Sequence, residues 1–268
     1  MGRRSRPVAF TLVELLVVIS VIAVLIAIML PAYSRAREQG RTAQCLSNMR
    51  QTGTGLVMYM GDANDEVPWV NPHPDAVWTS QFAWGGFVAP LPEPTFGNDI
   101  DYVKHPAEAR PLNKYLAAGA QGNQQIPLYI CPSDATRGFV LADDETPPEA
   151  EQVTSWQSAG NSYAINWWWM NYYENSGEWS LEEMKDNSAT VIKPRLGGRG
   201  SAFAVIYEAL LNPLFVDARG GGGGVQGRGW HKQWSRHSLL FLDGHAEHRF
   251  VDSRYPFGDG WSIWPAPN

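Results

Sequence analysis

The chain has 268 residues with 21 basic and 27 acidic side chains, a formal net charge of −6 at pH 7, which makes it a poor bulk match for a nucleic-acid phosphate backbone. Two cysteines exclude a disulfide-dense scaffold, and the length suffices for one sizeable core. Gly 26 and Pro 19 point to many turns, and 12 Trp is a large allotment.

The chain opens on a short basic segment, residues 1–9, with Arg3, Arg4 and Arg6, and ends it on Ala9. From Phe10 it reads Phe-Thr-Leu-Val-Glu14 and then stays apolar to Leu30, just before Pro31. About 20 mostly apolar residues cross a bilayer as a helix. One acid interrupts the run, and a carboxylate within a membrane costs roughly 2.5–3.5 kcal/mol on insertion scales, so Glu14 needs a partner. The alternative is a plain signal anchor with Glu14 snorkelling to the headgroups. A cleaved secretory signal fits worse, because its apolar core is usually about 7–15 residues. Pro31 lacks an amide proton and crowds the carbonyl four residues back, so a kink or local opening is expected there. Arg3, Arg4 and Arg6 before the span balance Arg35, Arg37 and Arg41 after it, so charge alone does not orient the segment.

These residues together resemble the type IV pilin and type II secretion pseudopilin superfamily. The resemblance implies that a prepilin peptidase and N-methyltransferase cuts between Ala9 and Phe10 and methylates Phe10. Ala9 stands where that superfamily nearly always has Gly. It also implies that Glu14 pairs with the terminal amine at Phe10 of a neighbouring subunit, a buried ion pair serving as a register device. The implied topology is a single pass through the inner (cytoplasmic) membrane, with the leader cytoplasmic and the head periplasmic or extracellular. Implied partners are like subunits in a filament, the inner-membrane secretion or pilus assembly machinery and the lipid bilayer; no nucleic acid is expected. Loss of residues 1–9 would take the net charge to −9.

Beyond Pro31, Tyr33, Ala36, Gly40, Ala43, Leu46, Met49, Gly53, Leu56 and Met60 recur at steps of three and four, the helical period. This stripe predicts an outer half-helix that seats a globular head and ends near Gly61-Asp62-Ala63-Asn64-Asp65. The expected division is a cleaved leader at 1–9, a transmembrane helix at 10–30, its amphipathic continuation at 31–61 and a pilin-like head at 62–268. Cys45-Leu-Ser-Asn-Met-Arg-Gln51, Arg110-Pro-Leu-Asn-Lys-Tyr-Leu116, Tyr129-Ile-Cys131-Pro-Ser-Asp134 and Ser162-Tyr-Ala-Ile-Asn166 resemble landmarks of a pilin-like group common in planctomycete and verrucomicrobial relatives. That group carries a terminal His…Asp-Gly motif, usually with about nine residues between. Here His237 and Asp243-Gly244 enclose five, and counting from His231 gives eleven.

Without the resemblance, the last segment reads as a β-hairpin. Ser238–Leu242 and His245–Val251 flank Asp243-Gly244, a dipeptide suited to the two positive-φ positions of a type I′ turn. Ala202–Glu208 is a third strand by its β-branched and aromatic content. The fold class expected is α+β: a long helix packed on a small antiparallel sheet with a loop-rich, Trp-rich head.

Cys45 at the edge of the helix stripe and Cys131 after the apolar Leu128-Tyr-Ile130 are a candidate disulfide in an oxidising compartment, against two buried free thiols. For metal, no site is expected; His237, Asp243, His245 and His248 are metal-capable types, with Asp243 and His245 two apart as in a chelating strand pair and His248 expected on the opposite face from His245, and Asp62 with Asn64 and Asp65 is the other weaker candidate, each with a bland reading as turn or helix-end residues. Some pseudopilins bind calcium in the head, so Ca²⁺ is the cofactor the resemblance allows; otherwise none is expected. Asp143-Asp-Glu145 reads as a solvated acidic loop, and Gly220–Gly224 as a surface loop with no strand feeding it. His231 and His237, beside Trp230 and Trp234, read as aromatic packing. Trp167-Trp168-Trp169 with Tyr172 and Tyr173 supplies either core or at least one surface ring. No nucleophile has a supporting signature. The expectation is a non-enzymatic filament subunit; the other classes are a surface adhesin gripping polysaccharide through its Trp-rich head and, more weakly, a membrane-tethered exoenzyme.

Overall fold

The computed structural model describes residues 11–70, 81–88, 105–122, 124–134, 154–170, 198–215 and 228–265, with isolated positions between 180 and 196. It divides into two compact units, Met1–Gly40 and Arg41–Asn268. Helix α1, Leu12–Asp62, contributes to both.

In the first unit, α1 starts at a capping box that the apolar run hides. Glu14 Oε2 accepts from the Thr11 amide at 2.9 Å and from its hydroxyl at 2.8 Å, while Thr11 Oγ1 accepts from the Glu14 amide at 3.2 Å. Two of the donors left over at a helix start are thereby satisfied reciprocally. The apolar stretch that follows is exposed along its length, and α1 is long and apolar enough to cross a membrane. The helix continues through Pro31 without interruption.

In the second unit, α1 buries Cys45, Asn48, Met49, Thr52, Gly53, Gly55, Leu56 and Met60. Their spacing of three and four is the core-facing stripe, but it begins later than the sequence pattern suggests. Tyr33, Ala36, Gly40 and Ala43 are exposed. The buried stripe also takes in polar Asn48 and Thr52, whose side chains bond to backbone carbonyls and so lose little on burial. At its end the helix unwinds through Asn64 and Asp65, both with positive φ (52° and 68°), and the Asp65 amide reaches back to the Met60 carbonyl at 2.7 Å.

A four-stranded antiparallel sheet, β1 (Tyr163–Ile165), β2 (Ala204–Glu208), β3 (Arg236–Phe241) and β4 (Ala246–Phe250), forms in chain order. Every residue of β1 and β2 is buried, so these strands lack the alternation of a half-solvated sheet. A two-stranded ribbon, β5 (Phe257–Gly258) and β6 (Trp261–Ser262), follows. Short helices α2 (Asn113–Leu116) and α3 (Ser155–Ala159) sit in the loop-rich part. α3 carries a Thr154–Gln157 capping box and ends on Gly160 at φ 73°. This is the α+β arrangement anticipated.

The β3–β4 turn differs from the expected type I′. Gly244 takes φ 88°, whereas Asp243 is not among the positive-φ residues. The Gly244 amide bonds the Phe241 carbonyl at 2.9 Å, and the Phe241 amide bonds the His245 carbonyl at 2.9 Å. The loop is therefore one residue longer than a two-residue hairpin, a type I turn followed by a left-handed glycine. The apolar packing of Leu242, 8% exposed, draws that extra residue into the core.

Candidate functional site

Ala9 and Phe10 lie outside the described residues, as do Tyr172, Tyr173, the acidic 143–145 stretch and Gly220–Gly224. Of the amino-terminal pair, the structure places Glu14, in the first turn of α1, with Thr11 as its partner.

The second unit is tied to α1 at one point by covalent chemistry and around it by buried polar side chains. Cys45 and Cys131 form a disulfide, with Cα atoms 5.3 Å apart and a sequence separation of 86. One turn along α1, Asn48 donates to the Ile130 carbonyl at 3.1 Å and accepts from Gln44 at 3.0 Å. The Cys131 amide donates to Ser162 Oγ at 3.0 Å, and Ser162 in turn donates to Asp134 Oδ2 at 2.7 Å. Asp134 accepts from the amides of Ser155 and Trp156, both at 3.2 Å, at the start of α3. Arg110, 1% exposed, donates to the carbonyls of Phe82 and Gly85 at 2.8 Å and of His105 at 3.1 Å. Asn113 bonds both the amide and the carbonyl of Gly86 and the Ala107 carbonyl. The landmark segments thus act as buried nodes that satisfy the backbone of irregular loops, which have no ladder of their own.

The hairpin motif separates into parts with different surroundings. Asp243 and His245 are half-exposed and bond one another, with His245 Nδ1 2.6 Å from Asp243 Oδ1 and its ring stacked on Phe241 at 4.3 Å. Asp62 pairs with the Tyr115 hydroxyl at 2.7 Å and with Lys114 at 3.4 Å. These contacts hold the Asp62 carboxyl below its ordinary range, the Tyr115 hydrogen bond foremost. Neither His245 nor Asp62 belongs to a grouping of three ligand-type side chains among the described residues.

His237 instead joins a buried cluster centred on Glu208, a residue that sequence reasoning did not connect with the histidines. Glu208, the last residue of β2, is fully buried. Its Oε1 accepts from the Ser238 amide at 3.0 Å and lies 3.6 Å from His231 Nε2; its Oε2 lies 3.5 Å from His237 Nδ1. His231 and His237 are each 1% exposed and both face Glu208, a role beyond the packing beside Trp230 expected of them; Trp234 is exposed. His248 on β4 closes the group, its Nδ1 3.2 Å from Ser238 Oγ and its ring 5.2 Å from that of His231. Burial alone would raise the Glu208 carboxyl, but His237, His231 and Ser238 outweigh it and hold the group below the ordinary carboxylate range. Burial, reinforced by the neighbouring His231, Arg236 and His237, lowers His248 to about 4 against the opposing pull of Glu208. His231 Nε2 also lies 3.8 Å from Cys131 Sγ, so the cluster adjoins the disulfide. The available signal was a lone acid ending an apolar strand, with four histidines within the last forty residues.

A cleft of about 650 Å³ opens beside the end of α1, lined by Val57, Met60, Leu196, Leu242, Asp65 and Asp243. Most of the tryptophans among the described residues serve the core. Trp84, Trp168, Trp169, Trp230 and Trp261 are buried, and Trp69, Trp156, Trp167 and Trp264 pack against them from partly buried positions. Trp167 stacks on Trp168 at 4.7 Å.

A family model described as a protein of unknown function (DUF1559) matches residues 34–191, more than half of the chain. The match takes in the disulfide and the polar nodes around it and stops short of the Glu208 cluster. No curated protein and no solved structure matches the chain.

Proposed function

The chain belongs to the DUF1559 family, and we propose that it is a pilin-like, membrane-anchored structural subunit of a type II secretion or type IV pilus-like filament. One observation carries the reading. A single helix, α1, is apolar and exposed over its first part, and over its last it is buried against a sheet and bridged to it by a disulfide-linked loop. Such a helix offers a lipid phase an apolar surface before assembly and offers other helices the same surface afterwards. The leader is removed between Ala9 and Phe10 by a prepilin peptidase, which also methylates the new terminus. Glu14 then exchanges its contact with Thr11 for the Phe10 amine of the next subunit, setting register. The second unit faces the periplasm or the cell exterior, where an oxidising milieu keeps Cys45–Cys131 closed. The role is mechanical and needs no catalysis.

The test is Glu14→Ala expressed in the native host. Insertion and leader cleavage should be unchanged, whereas filament yield should fall by at least about tenfold, because an unpaired amine would have to enter the apolar phase. A normal filament yield would remove the pairing from the account.

A further inference from the structure

We propose that Glu208, His231 and His248 bind one divalent cation of the zinc class. The donor atoms of these three residues lie within 4.8 Å of one another, with Glu208 and His231 buried and His248 partly so. They come from β2, from the loop before β3 and from β4, so the closed sheet rather than a local turn brings them together.

The hydrogen-bond inventory around the cluster is incomplete in a specific way. Glu208 Oε2 and His237 Nδ1 face only one another, at 3.5 Å, and His248 Nε2 is a buried atom with no hydrogen-bond partner. A buried nitrogen left without a partner is costly, and His248 Nε2 in a group with Glu208 and His231 marks a place for a further occupant. Three imidazoles crowd the one carboxylate, and imidazole nitrogens together with a carboxylate oxygen are a donor set that suits a zinc-class ion.

Local geometry favours a metal over a water. Glu208 Oε1 and His231 Nε2 are 3.6 Å apart, close to the roughly 3.4 Å separation of two donors on a tetrahedral ion with bonds of about 2.0–2.1 Å. His248 has its Nδ1 beside Ser238 Oγ at 3.2 Å, which turns Nε2, the unpartnered nitrogen, to the other side of the ring. That is the arrangement of a ligating histidine oriented by a second hydrogen bond. Ser238 also fixes Glu208 through its amide, so one residue positions two ligands. His237, 3.5 Å from Glu208 Oε2, supports the carboxylate from behind. Being the least buried of the three, His248 marks the side from which an ion would enter. Three protein ligands leave a fourth position for water.

The experiment uses the full chain in detergent, stripped with chelator and titrated with Zn²⁺ and, for its visible spectrum, with Co²⁺. The expected result is one equivalent bound, a Co²⁺ absorption of tetrahedral intensity and an unfolding temperature that rises by several degrees with Zn²⁺. His248→Ala, at a partly exposed position, should keep the fold and lose stoichiometric binding and the spectrum. His245→Ala, outside the cluster, should retain both. Failure of the wild-type chain to bind either ion at micromolar concentrations would overturn the site. So would undiminished binding by His248→Ala, which would place the ion elsewhere.

Discussion

Gly53 of α1 and Gly244 of the β3–β4 turn meet backbone to backbone: a methyl group at position 53 would fall inside the envelope of the Gly244 carbonyl oxygen and 2.8 Å from Leu240 Cδ1. The hairpin turn therefore seats on the helix only because position 53 carries no side chain there. Gly244 is constrained by its backbone, since its φ of 88° is strained for any residue with a Cβ. The Asp-Gly motif, on this geometry, is a docking turn.

Gly53→Ala should destabilise the second unit by about 1–3 kcal/mol, because overpacking against backbone exceeds the gain of roughly 1 kcal/mol that Ala brings to a helix interior. Gly61→Ala, on the same helix with nothing within 4 Å of the added methyl, should be neutral or slightly stabilising. Chemical denaturation of the pair separates docking from helix propensity; equal effects at both positions would contradict the contact.

The Cys45–Cys131 bridge closes a loop of 86 residues, and on the chain-entropy model contributes roughly 4–5 kcal/mol. Intact mass without reductant should show the chain lighter by two hydrogens. Cys45→Ala with Cys131→Ala should lower the denaturant midpoint markedly and expose the loop around 124–134 to protease before the sheet. Two alkylatable thiols in unreduced, unfolded protein would reject the bridge.

Arg110→Met should cost about 3–5 kcal/mol, since three backbone carbonyls lose a buried charged donor. Arg110→Lys should recover only part of that, because a point charge cannot span carbonyls on both sides of a planar fork. Full rescue by Lys would show that charge alone matters there.

What was legible in the sequence was whatever repeats or clusters locally. The long helix follows from its apolar run and period, and the hairpin from two apolar segments around Asp243-Gly244. β1 escaped detection as a strand because its three residues are all buried and do not alternate. The Thr11–Glu14 capping box matches a readable spacing but stands at the mouth of an apolar segment, where the acid alone drew the explanation. The early part of the helix stripe, Tyr33 to Ala43, has the right period and stays exposed, since periodicity marks a face and not its partner. Glu208 and its histidines lie 23 to 40 positions apart, a separation that only the strand order closes.

Thr11→Ala separates the two roles of Glu14. It removes the hydroxyl partner in the capping box and should cost about 1 kcal/mol of local helix stability, while leaving the carboxylate free to pair with an incoming amine. Filament yield should therefore fall far less in Thr11→Ala than in Glu14→Ala. The same loss in both would assign Glu14 to helix capping.

The most direct measurement is the amino terminus of the protein recovered from native membranes, read by mass spectrometry. A chain beginning at Phe10 and carrying an N-methyl group is the result expected of a processed pilin-like subunit. A chain still beginning at Met1, in cells that process their other prepilins, would contradict it.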